Sequence, residues 1–140
     1  MAVDYVWCGK FTNGELNMLH AEAFETRVFG DKEWDWRKQV ATHSCGWVVA
    51  RGEDGTLAGF VNVISDGFVH AWIQDLMVPN SVRRQGVGRR LVQVAAEAVR
   101  AGGHEWLHVD FDDELSDFYI ESCGFTPTNA GLIELQGSRP

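Results

Sequence analysis

Two short turn sequences, Gly52-Glu53-Asp54-Gly55 and Ser65-Asp66-Gly67, constrain the fold of this chain more than any other feature. They separate three short segments, residues 47–51, 56–65 and 69–78, the first of which is rich in β-branched residues. Turn residues between such segments are typical of hairpins. The sequence therefore predicts three consecutive antiparallel strands in the middle of the chain.

Helical periodicity surrounds these strands. Thr12-Asn13-Gly14-Glu15 has the form of a capping box and predicts a helix over 13–25. A second helix is predicted over 31–43. The clearest helical pattern covers 88–100, where apolar residues recur at helical spacing before Gly102-Gly103.

The C-terminal third predicts further strands. A buried strand is expected over 106–111, a short helix over 115–123, and terminal strands over 125–128 and 131–135. A first strand is also expected near residues 5–8. These elements predict an α/β protein of the α+β kind, with a central mixed and mostly antiparallel sheet flanked by about four helices.

Composition narrows the class of protein. The 140 residues suit one domain, residues 1–140, and the 45% apolar content is enough for a packed core. The net charge of -8 argues against a general nucleic-acid or anionic-membrane surface. We therefore expect neither nucleic acid nor a membrane as a partner.

The positions of the cysteines and histidines indicate the cellular compartment and whether a metal site is expected. The 3 cysteines show no Cys-x-x-Cys spacing, and the isolated histidines show no ligand spacing. Residues 1–10 lack the pattern of a secretory signal, and no uncharged stretch approaches the roughly 20 residues needed to span a bilayer. We expect a cytoplasmic protein without a bound metal.

A basic loop interrupts this acidic chain between the strand ending at Val78 and the helix starting near Gly88. It reads Arg83-Arg84-Gln85-Gly86-Val87-Gly88-Arg89-Arg90. Glycines let the backbone approach a ligand, and the free N–H groups of a first helical turn attract anions. The arginines add charge that pairs with phosphate. The loop predicts a phosphate site, with a solvated helix start as the alternative.

Two motifs together resemble those of the GCN5-related N-acetyltransferase (GNAT) family. Arg83-x-x-Gly86-x-Gly88 resembles the family's Gln/Arg-x-x-Gly-x-Gly/Ala loop, whose amides cradle the pyrophosphate of acetyl-CoA. Phe118-Tyr119-Ile120-Glu121-Ser122-Cys123-Gly124-Phe125 resembles its Tyr-x-x-x-x-Gly-Phe segment. The resemblance covers roughly residues 47–135 and implies that acetyl-CoA is the cofactor.

The same resemblance assigns roles to individual residues. The backbone of Met77 and Val78 would bind the pantetheine arm, with the Val78 N–H directed to the thioester carbonyl. Residues 83–89 would hold the pyrophosphate, and Arg89 with Arg90 would reach the 3'-phosphate. Tyr119 matches the tyrosine that protonates the departing thiolate; its alternative is a core tyrosine.

The general base is less well defined by the sequence. Histone-type members carry a glutamate in the strand before the loop, and the matching residue here is Trp72, which cannot accept a proton. The nearest titratable groups are Asp75, His108 and Asp110. The last two share one strand face. Each of the three residues could instead have a purely structural role. No base would be needed if the pKa of the substrate amine were already lowered.

Several aromatic and acidic residues are candidates for binding the amine that accepts the acetyl group. Trp34 and Trp72 are candidates for an acceptor pocket, together with Trp36 and Phe68. Trp34 and Trp36 diverge by about 200° on one helix, so at least one is expected to be half exposed. Asp110 opens an acidic segment, 110–121, that would border a cationic amine; a solvated loop is the alternative.

These observations predict an acetyl-CoA-dependent N-acetyltransferase that acts on the primary amine of a small molecule. Direct attack in a ternary complex is expected, without an acyl-enzyme. Two alternatives stay open, namely a non-catalytic acyl-CoA-binding module and a protein or peptide N-acetyltransferase. Dimers are common for this fold, so a homodimer is also open.

Overall fold

The computed structural model describes residues 2–137, which form one five-stranded sheet in the order β1-β2-β3-β4-β5. Neighbouring strands from β1 to β4 are antiparallel, whereas β4 and β5 are parallel. The mixed, mostly antiparallel sheet and its three central antiparallel strands confirm the predicted fold class. The strands are β1 (Val3–Trp7), β2 (Ser44–Gly52), β3 (Leu57–Ser65), β4 (His70–Met77) and β5 (Trp106–His108).

Four helices flank the sheet: α1 (Asn13–Phe24), α2 (Trp36–His43), α3 (Val87–Ala101) and a π-helix (Asp117–Ser122). Single 3-10 turns cover Asn80–Val82 and Asp113–Leu115. The predicted capping box of α1 is present, because the Glu15 N–H donates to Thr12 Oγ1 at 3.1 Å and the Thr12 N–H to Glu15 Oε2 at 2.8 Å. None of the helices in residues 2–137 is both long and apolar enough to span a bilayer.

Two apolar cores lie on opposite faces of the sheet. The face covered by α3 packs Val61, Ile73 and Leu91 together. The face covered by α1 and α2 packs Trp36 and Met77 with Phe60 and Leu16. The short helix α2 leaves part of this second face open, which is where the cleft described below is found.

An extra residue in β4 breaks the regular pairing of β3 with β4. Phe60 pairs with Met77 and Asn62 with Gln74, so two steps along β3 match three along β4. Asp75 lies in this bulge and takes the left-handed conformation, with φ 54°. Among non-glycine residues, Asp and Asn accept this conformation most readily.

The parallel pair β4–β5 is short. Pairing runs only from His70 with Trp106 to Trp72 with His108. Beyond Trp72 the two strands part, and the edge of β4 toward β5 makes no ladder bond to the described residues. The sheet therefore opens toward the end of β4 that precedes the arginine loop.

The prediction of terminal strands over 125–128 and 131–135 is wrong. Neither segment forms a strand, and Leu132, Ile133 and Leu135 are 84, 83 and 92% exposed. The predicted strand over 106–111 ends at His108, so the sheet offers the C-terminal segment a partner of only three residues. A segment needs hydrogen bonds from a neighbouring strand to be stable as a strand.

The second helix starts later than predicted. It begins at Trp36 because the Asp35 carboxylate accepts a hydrogen bond from the Lys38 N–H at 3.1 Å and caps it. The preceding residues form a turn in which the N–H groups of Glu33 and Trp34 donate to Gly30 O. This turn places Trp34 beside the first turn of α2.

Candidate active site

A cleft of about 220 Å³ lies between the start of α2 and the bulge of β4. Trp36 is 3% exposed and packs into the core, whereas Trp34 is 48% exposed. The prediction that one of the two tryptophans is half exposed is therefore confirmed. The cleft is lined by Glu33, Trp34, Asp35, Trp36, Gln39 and Asp75.

The three carboxylates of the cleft differ in their partners. Glu33 pairs with Arg27, whose Nη1 donates to Glu33 Oε1 at 3.0 Å. Asp35 accepts from Asn13 Nδ2 at 2.8 Å while it caps α2. Asp75 forms no ion pair within residues 2–137. Asp35 likewise forms no ion pair there but is held as the cap of α2, so Asp75 is the carboxylate of the cleft that is committed to neither a cap nor an ion pair.

A buried amide holds Asp75 in place. Asn62 is fully buried, and its Nδ2 donates to Asp75 Oδ2 at 3.2 Å and to Gln39 Oε1 at 2.7 Å. Ser44 Oγ donates to Asn62 Oδ1. Burial raises the pKa of Asp75 above its ordinary value, although the hydrogen bond from Asn62 opposes the rise. A carboxylate of raised pKa is a stronger proton acceptor.

His20 also lies close to the two tryptophans of the cleft, a position that no sequence pattern predicted. Its ring lies 5.6 Å from that of Trp36 and 6.4 Å from that of Trp34, centroid to centroid. Its Nδ1 is buried and forms no hydrogen bond to the described residues. Charge on His20 also lowers the pKa of Asp75. No motif marks a lone histidine on a helix, so only the fold brings His20 close.

The arginine loop presents a row of free backbone donors. Gly86 has φ 81° and precedes the first turn of α3, where Arg90 N donates to Gly86 O at 3.0 Å. The N–H groups from Arg84 to Arg89 form no hydrogen bond to the described residues. Consecutive free N–H groups at a helix N-terminus are a site for an anion.

The arginine side chains of the loop are engaged to different degrees. Arg89 Nε donates to Ser122 O at 3.0 Å, and Arg83 Nε lies 3.4 Å from Val78 O. Arg90 lies 3.7 Å from Glu97 Oε1 in an ion pair. The Arg84 side chain forms no hydrogen bond or ion pair within residues 2–137. Because the donor set has no carboxylate in the first turn of α3, its chemistry fits a pyrophosphate.

The end of β4, the loop and the π-helix converge at Gly88. A Cβ on Gly88 would lie 3.2 Å from Phe118 Cζ and 3.7 Å from Val78 Cγ2. Met77 is 1% exposed and anchors the end of β4 in the core, while Val78 is half-buried. The open edge of β4 therefore leads directly to the free N–H groups of the loop.

Tyr119 lies in an aromatic cluster on the π-helix. Its ring lies 5.0 Å from that of Phe111, 4.8 Å from that of Phe118 and 5.9 Å from that of Phe125. The side chain is 6% exposed, and burial raises its pKa to about 12. The hydroxyl therefore stays protonated at neutral pH and is competent as a proton donor.

Two other predicted site residues lie outside the cleft. Trp72 stacks on His108, with ring centroids 4.8 Å apart, and His108 Nε2 lies 2.7 Å from His70 Nδ1. Asp110 is exposed, beyond the end of β5. The structure thus brings Trp34 and Asp75 together but places Trp72 and Asp110 elsewhere. The carboxylates lining the cleft come from Glu33, Asp35 and Asp75, and no residue of 110–121 contributes.

The described residues also bear on whether the cleft could hold a metal ion. Across residues 2–137 no three His, Cys, Asp or Glu side chains are grouped as ligands for a metal ion. The side chains that converge on the cleft are aromatic, amide and carboxylate groups, which suit an organic cation more than a metal.

Solved structures share this architecture. An acetyltransferase from Trypanosoma brucei superposes with a TM-score of 0.78 at 16% identity, covering 95% of this chain and 99% of that one. Glucosamine-6-phosphate N-acetyltransferase from Arabidopsis thaliana gives 0.71 at 18% identity, covering 94% and 97%. AAC(6')-Iy, solved with the bisubstrate analogue CoA-S-monomethyl-acetylneamine, gives 0.76 at 16% identity and covers 100% of both chains.

Sequence comparison identifies the family. Among curated protein sequences, none matches this chain. The model of the acetyltransferase (GNAT) family matches residues 14–125, which include the cleft, the arginine loop and the π-helix. Acetyl-CoA-dependent acetylation is the general activity of that family. The chain therefore belongs to the GNAT family of acetyltransferases.

Proposed function

We propose that this protein transfers an acetyl group from acetyl-CoA to the primary amine of a small molecule, by direct attack in a ternary complex. The observation that carries the proposal is Asp75, a half-buried carboxylate that forms no ion pair within residues 2–137 and lies in a cleft walled by Trp34 and Trp36. A carboxylate beside aromatic faces suits an amine with an apolar or ring portion. A cleft of about 220 Å³ suits a small acceptor better than a peptide.

The proposed site for acetyl-CoA, the acetyl donor, is built mainly from backbone groups. The N–H groups from Arg84 to Arg89 would hold the pyrophosphate, with Arg84 as the side chain that is free to pair with it. The backbone of Met77 and Val78, at the open edge of β4, would bind the pantetheine arm. When bound, acetyl-CoA supplies the thioester whose acyl carbon the amine attacks.

The chain's own residues would move the protons. Asp75 takes the proton that the amine nitrogen loses as the new N–C bond forms, and the Val78 N–H stabilises negative charge on the carbonyl oxygen. Tyr119 donates its hydroxyl proton to the sulfur as the C–S bond breaks. Cys123 is not needed as a nucleophile, and burial raises the pKa of its thiol, which disfavours the thiolate.

The experiment is a screen of amines in which release of the CoA thiol is followed with a thiol reagent. Aminoglycosides, polyamines, amino acids and arylalkylamines are compared with N-terminal peptides. Asp75→Asn should abolish most of the turnover, whereas Asp113→Asn, in the exposed acidic segment, should leave it unchanged.

Three results would contradict the proposal. Turnover on peptides with none on small amines would indicate a protein acetyltransferase. CoA binding without turnover on any amine would indicate a non-catalytic module. Equal loss in Asp75→Asn and Asp113→Asn would remove the special role of Asp75.

A further inference from the structure

A second cleft, of about 580 Å³, lies where the β1–β2 edge meets the start of α1 and the outer side of α2. It shares no lining residue with the candidate active site. Trp36 and Gln39 of α2 line the first cleft, whereas Arg37, Val40 and Ala41 line the second, which places the clefts on different faces of one helix. None of the chemistry proposed above uses this second cleft.

The floor of this second cleft is apolar and fixed by its own contacts. Phe11 and Val40 are 9 and 4% exposed and belong to the core beneath α2. Trp47 packs edge-on against Phe11, with ring centroids 6.1 Å apart. Its indole N–H donates to Gly9 O at 2.8 Å. The floor is thus preformed and needs no rearrangement to accept an apolar group.

The rim carries more positive than negative charge. Arg51 holds Glu15 through two hydrogen bonds, at 2.8 and 2.7 Å, and the hydrogen bond from Arg51 lowers the pKa of Glu15. This pair is neutral as a whole. The side chains of Lys10 and Arg37 form no hydrogen bond or ion pair within residues 2–137. In a chain of net charge -8, this apolar cleft thus has a positive rim, with two cations that have no ion-pair partner among the described residues.

Arg37 also lies where the backbone gives it no support. It is in the first turn of α2, which contains no acidic residue, so the positive end of the helix dipole opposes its charge. The neighbouring carboxylate, Asp35, accepts from Asn13 Nδ2 and from the Lys38 N–H, and these hydrogen bonds lower its pKa; the charge of Arg37 helps to lower that pKa, but the two residues form no ion pair within residues 2–137. An anion at this rim would therefore be favoured by both Arg37 and Lys10.

We propose that this second cleft binds small organic carboxylates that carry an apolar or aromatic body. The apolar body lies against Trp47, Phe11 and Val40, and the carboxylate pairs with Lys10 and Arg37. The site is separate from the acetyl-transfer chemistry, so the proposal stands whether or not the acceptor is a small amine.

The test uses the full chain and two probes of one shape, 4-phenylbutyrate and 4-phenylbutylamine, with inorganic phosphate as a third. We expect 4-phenylbutyrate at millimolar concentration to bind saturably and to shift the NMR resonance of the Trp47 indole N–H. Neither 4-phenylbutylamine nor phosphate should do so. The dissociation constant is taken from the titration of that resonance.

Variants at exposed positions show where the carboxylate of 4-phenylbutyrate binds, and they do not disturb the core. Lys10→Gln and Arg37→Gln should each weaken 4-phenylbutyrate binding by about tenfold. Ala41→Glu, which places a carboxylate at the rim, should also weaken it. The matched control is Lys38→Gln, whose side chain is exposed but does not line the cleft, and its affinity should equal that of the unaltered chain.

Any of four results would overturn the proposal. These are the absence of a Trp47 shift, an equal response to 4-phenylbutylamine, equally tight binding of phosphate, and unchanged affinity in Lys10→Gln and Arg37→Gln. A shift confined to the Trp34 indole would place the probe in the candidate active site and would equally reject the second site. Thermal unfolding of each variant confirms that the fold is retained.

Discussion

Trp36 donates its indole N–H to the side-chain oxygen of Asn17 at 2.9 Å, and both residues are buried. The Asn17 Nδ2 group donates in turn to Trp34 O at 3.2 Å. One amide on α1 thus fixes the position of both tryptophans that wall the candidate active site. The first helix therefore shapes the acceptor cleft although Asn17 does not line it.

Replacing Asn17 by leucine should destabilise the protein by about 2 kcal/mol or more, because the Trp36 N–H and the Trp34 carbonyl lose their partner. Leucine has the same number of side-chain heavy atoms as asparagine but bulkier methyl groups, so crowding at this fully buried site adds to the loss of the polar contacts. Urea denaturation measures it. Met18→Gln, at an exposed neighbouring position, is the control and should change stability by less than about 0.5 kcal/mol. Equal stability of Asn17→Leu and the unaltered chain would contradict this account.

Asp75→Asn should lower kcat/KM for the amine by about 100-fold or more, as expected when a general base is lost. Asparagine tolerates the left-handed conformation of the bulge, so the backbone should be retained. The assay is the release of CoA thiol at fixed acetyl-CoA. A variant with full activity across the pH range would show that the amine needs no base.

The same variant has a defined effect on stability. Burial raises the pKa of Asp75 in the folded state, so the folded state holds this proton more tightly than the unfolded chain. The contribution of Asp75 to stability should therefore decrease as pH rises from about 3.8, the unfolded value, through the folded pKa. Asp75→Asn lacks this loss and should gain relative stability across that window. Urea denaturation in a pH series checks the sign; a relative loss with rising pH would refute it.

Tyr119→Phe should preserve the aromatic cluster and the stability but lower kcat by about 100-fold, if the hydroxyl supplies the proton to the thiolate. Since burial raises the pKa of Tyr119 to about 12, ionisation of this group should not reduce the activity of the unaltered enzyme below about pH 10. A pH profile of kcat for both proteins is the measurement. Equal rates at every pH would leave Tyr119 as a core residue only.

Adding CoA should raise the thermal unfolding temperature, because a ligand at 100 times its dissociation constant adds about 2.7 kcal/mol. Arg84→Gln removes a guanidinium that has no hydrogen bond or ion pair to the described residues, and it should reduce this rise. Arg100→Gln, at an exposed position in the last turn of α3, is the matched control. No rise with CoA at millimolar concentration would reject the donor site, and equal rises in both variants would reject the role of Arg84.

Local signals made much of the fold predictable. The turns at Gly52–Gly55 and Ser65–Gly67 predicted the antiparallel strands, because the geometry of a hairpin turn depends on a few residues that are adjacent in sequence. The apolar spacing of α3 did the same for that helix. The basic loop was recognisable because its glycines and arginines are adjacent in sequence, and phosphate binding uses backbone groups that are also adjacent.

The cleft was less predictable, because its residues come from distant segments. Trp34 and Asp75 were expected at the site, but the placement of His20 near them depends on how α1 packs on the sheet. Asn62 resembles an ordinary strand residue in sequence, yet it joins Gln39 to Asp75. The predicted terminal strands are absent because no strand among the described residues pairs with 125–128 or 131–135.

The bulge at Asp75 has a consequence for changes in chain length. Ile73 and Met77 are four residues apart, a spacing that places two side chains on the same face of a regular strand, yet they pack in opposite cores. Deleting one residue here would leave Ile73 and Met77 three residues apart, a spacing that places two side chains on opposite faces of a regular strand, so each would stay in its present core. The extra residue is therefore not required for the packing of β4, and what it adds is the Asp75 carboxylate in the cleft.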